Sequence, residues 1–393
     1  ALLEAPAVVL RIEQLREEAR DPIPLARRGW QRLPELYPLE INTLEVRDGT
    51  VVYLASGARE PIRLTGVQGW AGNIRHVEAG GATHPSPVRL RAVVFGDGRA
   101  SFDGAADFLR HARPALRGRG AIDSVPLATL GPVLRGVPLR IEGGTLAARG
   151  DVDYGPAGLR AHLAQATIDG IRVDYVGGAD PAERAVLRRA AEAARRAARD
   201  PQAWLVMDEL RIDGELGWIN RGRDRPYRAF LDQARILLRD VDNRRSARRA
   251  TLEVQGRPMG SGRATIRGAF RTGPGPADFA LDVQTRGTAL RALNPVLRSH
   301  AGLDAAGGWI AVYSQVLVRD GRIRGHVKPL LEDVALYAPR QEADDGLLRR
   351  LYEFVADGIR RIFESGPRDS LGTIADLSGP VENPQASTWQ IIR

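Results

Sequence analysis

The chain states one phrase twice. Leu44-Glu45-Val46-Arg47-Asp48-Gly49-Thr50-Val51, followed by Pro61-Ile62-Arg63, returns about 165 residues later as Leu210-Arg211-Ile212-Asp213-Gly214-Glu215-Leu216, followed by Pro226-Tyr227-Arg228. A second phrase, Leu130-Gly131-Pro132-Val133-Leu134-Arg135 with Gly143-Gly144, returns as Leu293-Asn294-Pro295-Val296-Leu297-Arg298 with Gly307-Gly308 at nearly the same offset. Two matches at one spacing point to duplication of a whole module. A repeated strand-rich module offers a long surface rather than a single pocket.

Composition narrows the classes. Hydrophobic residues make up 43% of the 393, enough to bury a sizeable core. The formal charge of +9 is carried by arginine, because Lys328 is the only lysine. That bias is the mark of a coding preference, although an arginine-rich surface can bind anionic head groups. The absence of cysteine excludes disulfides, thiolate catalysis and cysteine-based metal sites. The longest apolar runs, such as Pro6 to Leu10, are far shorter than a membrane span. A start at Ala1 without methionine leads us to expect a preceding leader or anchor.

Most of the sequence reads as short strands and tight turns, with Asp48-Gly49, Asp97-Gly98, Asp213-Gly214 and Asp320-Gly321 expected to make hairpins. Apolar alternation is clear at Ile171, Val173 and Tyr175, and again at Ile310, Val312, Val316 and Val318. The run from Leu139 to Val176, broken at Gly143-Gly144, Gly150, Gly155-Pro156 and Gly170, reads as four antiparallel strands, and Thr251 to Val283 has a similar rhythm. Helices are expected at Pro181 to Arg199, at Leu127 to Leu134, at Leu293 to Arg298 and at Asp344 to Ser365, with a terminal helix starting at Ser387. The expected organisation is a first repeat over 1–176, a linking helix over 177–200, a second repeat over 201–338 and a C-terminal segment over 339–393. So few helices cannot cover both faces of a sheet of about fifteen strands. The apolar face must therefore close into a barrel, pack as a sandwich, or stay open as a groove.

Chemistry-bearing patterns are scarce. The histidines at 76, 84, 111, 162, 300 and 326 show no metal-binding spacing, so no metal or cofactor is expected. Gly260-Ser261-Gly262 lacks the nucleophile-elbow pattern and reads as a hairpin turn, and neither Gly118-x-Gly120 nor Gly273-x-Gly275 completes a dinucleotide fingerprint. Asp151 and Asp153 share a strand face and could bind a cation or act on a glycoside, but no other group in the sequence converges on them. Asp344-Asp345 charges the start of the following helix. The basic clusters Arg195-Arg196, Arg244-Arg245 and Arg248-Arg249 have no interleaved aromatics, so nucleic acid is not an expected partner.

Several phrases resemble one family of bacterial envelope proteins. They are Leu39 to Gly49, Met259-Gly260-Ser261-Gly262, Val312-Tyr313-Ser314 with Arg319-Asp320-Gly321, Val327-Lys328-Pro329-Leu330, Leu351-Tyr352-Glu353, Ser378-Gly379-Pro380-Val381-Glu382-Asn383-Pro384 and Ser387-Thr388-Trp389-Gln390. Together they run in order from about Leu39 to the C-terminus and are similar to the AsmA-like group, long catalogued as a domain of unknown function. The resemblance implies a mainly β fold, an elongated and twisted antiparallel sheet in the form of a repeating β-groove with a few amphipathic helices. It implies a periplasmic location, a tether to the inner membrane through an N-terminal helix, and a role in moving phospholipid toward the outer membrane and keeping the envelope intact. It brings no catalytic residue, so a non-enzymatic protein is expected. The expected partners are phospholipid acyl chains and other envelope proteins. The expected groove lining is Ile171, Val173, Tyr175, Ile310, Val312, Val316 and Val318, with the Leu347 to Phe363 stripe as a rival occupant. An interaction scaffold docking by its sheet edges is the alternative, and a hydrolase assembled from loops is a third reading.

Overall fold

The computed structural model describes residues 40–54, 62–75, 84–109, 115–130, 139–155, 158–177, 203–221, 225–244, 249–272, 278–300, 302–320 and 322–337, with strand segments at 2–3, 9–13, 375–380 and 385–386. Within them the chain is mainly β, an open and twisted sheet rather than a closed barrel, with a single short α-helix. The expected helices at 181–199, 344–365 and from Ser387 lie outside the described residues, as do Asp344-Asp345, Gly273-x-Gly275, His76, His111, Arg195-Arg196, Arg245 and Arg248.

The chain divides into two compact units. The first comprises Ala1–Gly136, Gly143–Asp169 and Arg196–Leu210, and the second comprises Val137–Glu142, Gly170–Arg195 and Arg211–Arg393. In the first, strands β3 (Glu40–Leu54), β4 (Ile62–Arg75), β5 (Ser86–Val94), β6 (Gly98–Asp107) and β7 (Ala115–Pro126) pair antiparallel in sequence order. Strand β9 (Thr145–Gly155) joins β7 and pairs with the first half of β10 (Gly158–Gly177). Two short strands, β1 (Leu2–Leu3) and β2 (Val9–Glu13), add to β3 in parallel. In the second unit, β12 (Tyr227–Asp242), β13 (Ala250–Pro258), β14 (Arg263–Phe270), β15 (Phe279–Ala289), β16 (Asp304–Arg319), β17 (Arg322–Tyr337), β18 (Ala375–Pro380) and β19 (Gln385–Ala386) make another antiparallel meander. Strand β11 (Ala203–Asn220) contributes to both units.

The element order recurs. Strands β3 to β7, a 3-10 turn at Leu127–Leu130, then β9 and β10 are followed at a common offset by β11 to β15, a 3-10 turn at Leu290–Leu293, then β16 and β17. Even the irregularities repeat. The register slips between Ile122 and Val125 in the first copy and between Thr285 and Thr288 in the second. Ser124 and Gly287 sit at these slips in the left-handed region, with φ of 55° and 64°. A residue of that conformation turns the strand out of its ladder and into the 3-10 turn. Val125 and Leu127 are buried in the first copy, as are Thr288 and Leu290 in the second.

Strands form where charged or small polar residues alternate with apolar ones, and the Asp-Gly pairs separate into two uses. Phe95, Gly96 and Asp97 make the turn between β5 and β6, where Val94 pairs with Gly98. Arg319 pairs with Arg322 across the join of β16 to β17, where Asp320 stands in the left-handed region at φ 50° and Gly321 lies outside the described residues. Asp48-Gly49 and Asp213-Gly214 are not hairpins. Both lie inside long strands, and the β3–β4 register shifts on either side of Gly49. The run from Leu139 to Val176 also departs from the four-strand expectation. It forms three strands, because Gly150 and Gly170 lie within β9 and β10 and the long β10 pairs with β9 by its first half and with β8 (Leu139–Ile141) by its second.

The one helix, α1 (Asn294–His300), follows the second 3-10 turn directly and starts with Pro295 in its first turn. Asn294 locks it down, since its Oδ1 accepts from the Ala305 N–H at 2.8 Å and its Nδ2 donates to the Ala305 carbonyl at 3.0 Å. Leu297, with Leu290, Leu303, Ala305 and Ile310, forms a buried apolar cluster under it.

Candidate functional site

Registers across the second unit bring apolar side chains of successive strands onto one face. One row runs Leu238, Leu252, Gly268, Leu281, Val316 and Gly325, and the next runs Ile236, Val254, Ile266, Val283, Ser314 and Val327. A third row, Ala250, Phe270, Phe279, Val318 and Ile323, ends the strip. The physical cause is the two-residue period of a strand, held in phase across six strands by unshifted pairing in β13–β14–β15.

This strip contains part of the expected lining. Ile310 is buried in the cluster beneath α1, Val316 and Val318 are buried with Ile323 and Val327, and Val312 packs against both groups. The accessible portion of the strip lies toward β12 to β15, where Leu238, Leu252, Ile266, Phe270, Phe279 and Leu281 are only half-buried. Ile171, Val173 and Tyr175 lie on β10, with Val173 opposite Ile141 and Tyr175 opposite Leu139. Ile171 is 8% exposed, while Val173 and Tyr175 are half-buried.

At the α1 end the strip meets a polar and aromatic cluster. Tyr227 is buried, its hydroxyl lies 2.7 Å from Nε2 of His300, and Asn220 donates to the same hydroxyl at 3.3 Å. Trp218 packs edge-on against Tyr227, with ring centroids 6.1 Å apart, and stays 45% exposed.

The first unit has a comparable face that the sequence pattern did not single out. Its rows are Leu90, Phe102, Gly120, Gly150 and Leu163, then Val88, Gly104, Gly118, Val152 and Ala161. Glycine and alanine fill half of these positions, so apolar alternation is weak there. The readable signal was the regular charge at every second position, as in Arg117-Gly118-Arg119-Gly120 and Arg149-Gly150-Asp151-Val152-Asp153.

Those charges form a ladder on the opposite face. Arg89, Asp103, Arg119, Asp151 and His162 are successive register partners across β5, β6, β7, β9 and β10. Arg89 lies 3.2 Å from Asp103, Arg119 lies 3.6 Å from Asp151, and His162 reaches Asp208 at 2.7 Å. Beside it, Arg117 approaches Asp153 at 3.7 Å and Arg160 stacks 4.2 Å over Trp204. Asp151 and Asp153 therefore stand among cations, in a depression of about 810 Å³ lined also by Asp103, Arg117, Arg119, Arg160 and His162. The second unit repeats the ladder as Glu253, Arg267, Asp282, Gln315 and His326, with signs exchanged at its first three positions. Such alternation places opposite charges side by side across β5, β6, β7 and β9 in the first unit and across β13, β14 and β15 in the second, and keeps this face wet.

One ionic group is less exposed. Arg228 on β12 donates from Nε to Asp174 at 2.8 Å and from Nη2 to Glu215, and its guanidinium lies 5.0 Å over the Phe230 ring. The Asp174 carboxylate comes so close to Gly217 that a β-carbon there would collide with it. Burial works against the Arg228 charge, yet the hydrogen bonds to Glu215 and Asp174 outweigh it and hold its pKa above the ordinary arginine value. Arg63, which occupies the same place in the repeated Pro-x-Arg phrase, is exposed. Replacing Arg228 by Met leaves the Asp174 carboxylate, 9% exposed, without its cation. The expected cost is about 2 kcal/mol in urea denaturation, largely recovered by adding Asp174→Leu. An unchanged midpoint for Arg228→Met would show that the network contributes nothing.

Ser261 has a structural job. Its hydroxyl accepts from the Ala289 N–H at 3.0 Å within the β13–β14 turn, where Gly260 and Gly262 adopt φ of 72° and 65°. Among the described residues no three histidines or acids come together as a metal site, and no helix is long and apolar enough to cross a membrane. No known protein-family model and no curated protein matches the sequence.

Proposed function

We propose that the protein is a non-enzymatic, AsmA-like lipid-handling protein of the bacterial envelope. In this reading acyl chains lie along the apolar sheet face while head groups remain in water. The observation that carries it is the apolar strip shared by β12 to β17, half-buried toward β12 and backed by an alternating-charge face. Across β12 to β15, where its side chains are half-buried, the strip runs for about 14 Å at roughly 4.8 Å between strands. That is close to one leaflet's acyl length, about half of a ~30 Å hydrocarbon core. Each methylene taken from water contributes roughly 0.8 kcal/mol, so affinity accumulates along the strip without specific polar contacts.

The family resemblance supports the same assignment and adds a periplasmic setting, an inner-membrane tether through an N-terminal helix, and delivery of phospholipid toward the outer membrane. The direct test is mass spectrometry of lipids retained by the gently purified native protein. Phospholipid in near-stoichiometric amount is the expected result. Protein that is folded and consistently lipid-free would sink the reading.

A further inference from the structure

The apolar strip of the second unit ends in arginine. Immediately beyond the row Phe270, Phe279, Val318 and Ile323, the next positions outward are Arg249, Arg271, Asp278, Arg319 and Arg322. Arg249 and Arg271 share the Asp278 carboxylate at 2.8 and 3.0 Å. Arg319 and Arg322 face each other directly across the β16–β17 turn, both exposed and neither with an acidic partner among the described residues. Like charges placed opposite one another on paired strands are unfavourable unless an anion answers them.

The duplication supplies an internal comparison. In the first unit the corresponding positions, beyond the row Ser86, Ala106, Leu116, Tyr154 and Leu159, are Pro85, Asp107, Ala115, Gly155 and Gly158. They include no cation. The arginine rim is therefore a property of the second copy and not of the repeated scaffold.

We infer that this rim docks on the phosphate groups of an anionic phospholipid surface, placing this end of the second unit's apolar strip toward the membrane. Guanidinium groups suit that partner because their fork of donors pairs with phosphate oxygens and holds its charge at every accessible pH. The inference rests on charge and position, so it stands even if the strip itself retains no acyl chain.

The test is co-sedimentation of the full chain with phosphatidylcholine vesicles, with and without phosphatidylglycerol. Binding should require phosphatidylglycerol and weaken with salt. Arg319→Gln with Arg322→Gln, which breaks no ion pair among the described residues, should weaken binding about tenfold. Arg263→Gln with Arg291→Gln removes the same charge at the opposite end of the strands and should change binding less than twofold. Equal losses in the two variants, or binding indifferent to phosphatidylglycerol, would overturn the inference. So would competition by inorganic phosphate stronger than by chloride at the same ionic strength, since that is the behaviour of a discrete phosphate pocket.

Discussion

Replacing Gly118 with valine is expected to destabilise the first unit by about 3 kcal/mol. Gly118 on β7 lies opposite Gly104 on β6, and a β-carbon there would stand 2.5 Å from the Asp103 carbonyl oxygen, 2.6 Å from the Gly104 Cα and 2.7 Å from the Phe102 ring. Two of those three neighbours are backbone, so relief demands that β6 and β7 move apart and lose ladder bonds. Phe102 lies across the glycine patch and covers backbone that would otherwise face water, the cross-strand use of an aromatic beside glycine. Two positions along, Gly120 tells the opposite story, since a β-carbon there meets nothing closer than 3.8 Å. Gly120→Ala should be neutral or stabilise by about 0.5 kcal/mol through the unfolded chain. Urea midpoints and hydrogen exchange in β6 and β7 check both. Equal effects at the two positions would refute the close-approach account.

Leu281→Asp is expected to reduce lipid retention by at least about a hundredfold, on the reading that acyl chains lie along the strip. Leu281 occupies the middle of a row, between Gly268 and Val316, and is half-buried. A carboxylate there stays solvated while the strip is empty and must be stripped of water when hydrocarbon covers it. Thr251→Asp, exposed on the polar face of β13, adds the same charge and should leave retention unchanged. Lipid recovered per protein by mass spectrometry is the readout, with circular dichroism confirming that both variants fold. If Leu281→Asp folds and retains lipid like the parent, the strip is not where acyl chains bind.

The contrast between the two Asp-Gly uses shows how far local pattern reaches. Asp97 and Asp320 stand between strands that pair with each other, whereas Asp48-Gly49 and Asp213-Gly214 fall inside long strands, where the β3–β4 ladder only slips at Gly49. Asp48 and Asp320 are both left-handed, one inside a strand and one in a turn. Whether that residue reverses the chain depends on what the following strand pairs with. Gly170, at φ 65°, likewise marks a break in β10 without ending it.

The carboxylates Asp151 and Asp153 make the same point for the site. Their spacing put them on one strand face, and it carried no information about the arginines and histidine that the neighbouring strands bring beside them. The arginine rim was equally hidden, because Arg249, Arg271, Arg319 and Arg322 are scattered in sequence and become one edge only when strand ends align.

Sequence alone determined the β character, the duplication and the apolar phase of individual strands such as Ile310 to Val318, because a two-residue period and a repeated phrase are local properties. Tertiary structure decided which strands pair in which register. That choice alone joins alternating side chains into an apolar strip on one face, a charge ladder on the other and a row of guanidiniums at one end.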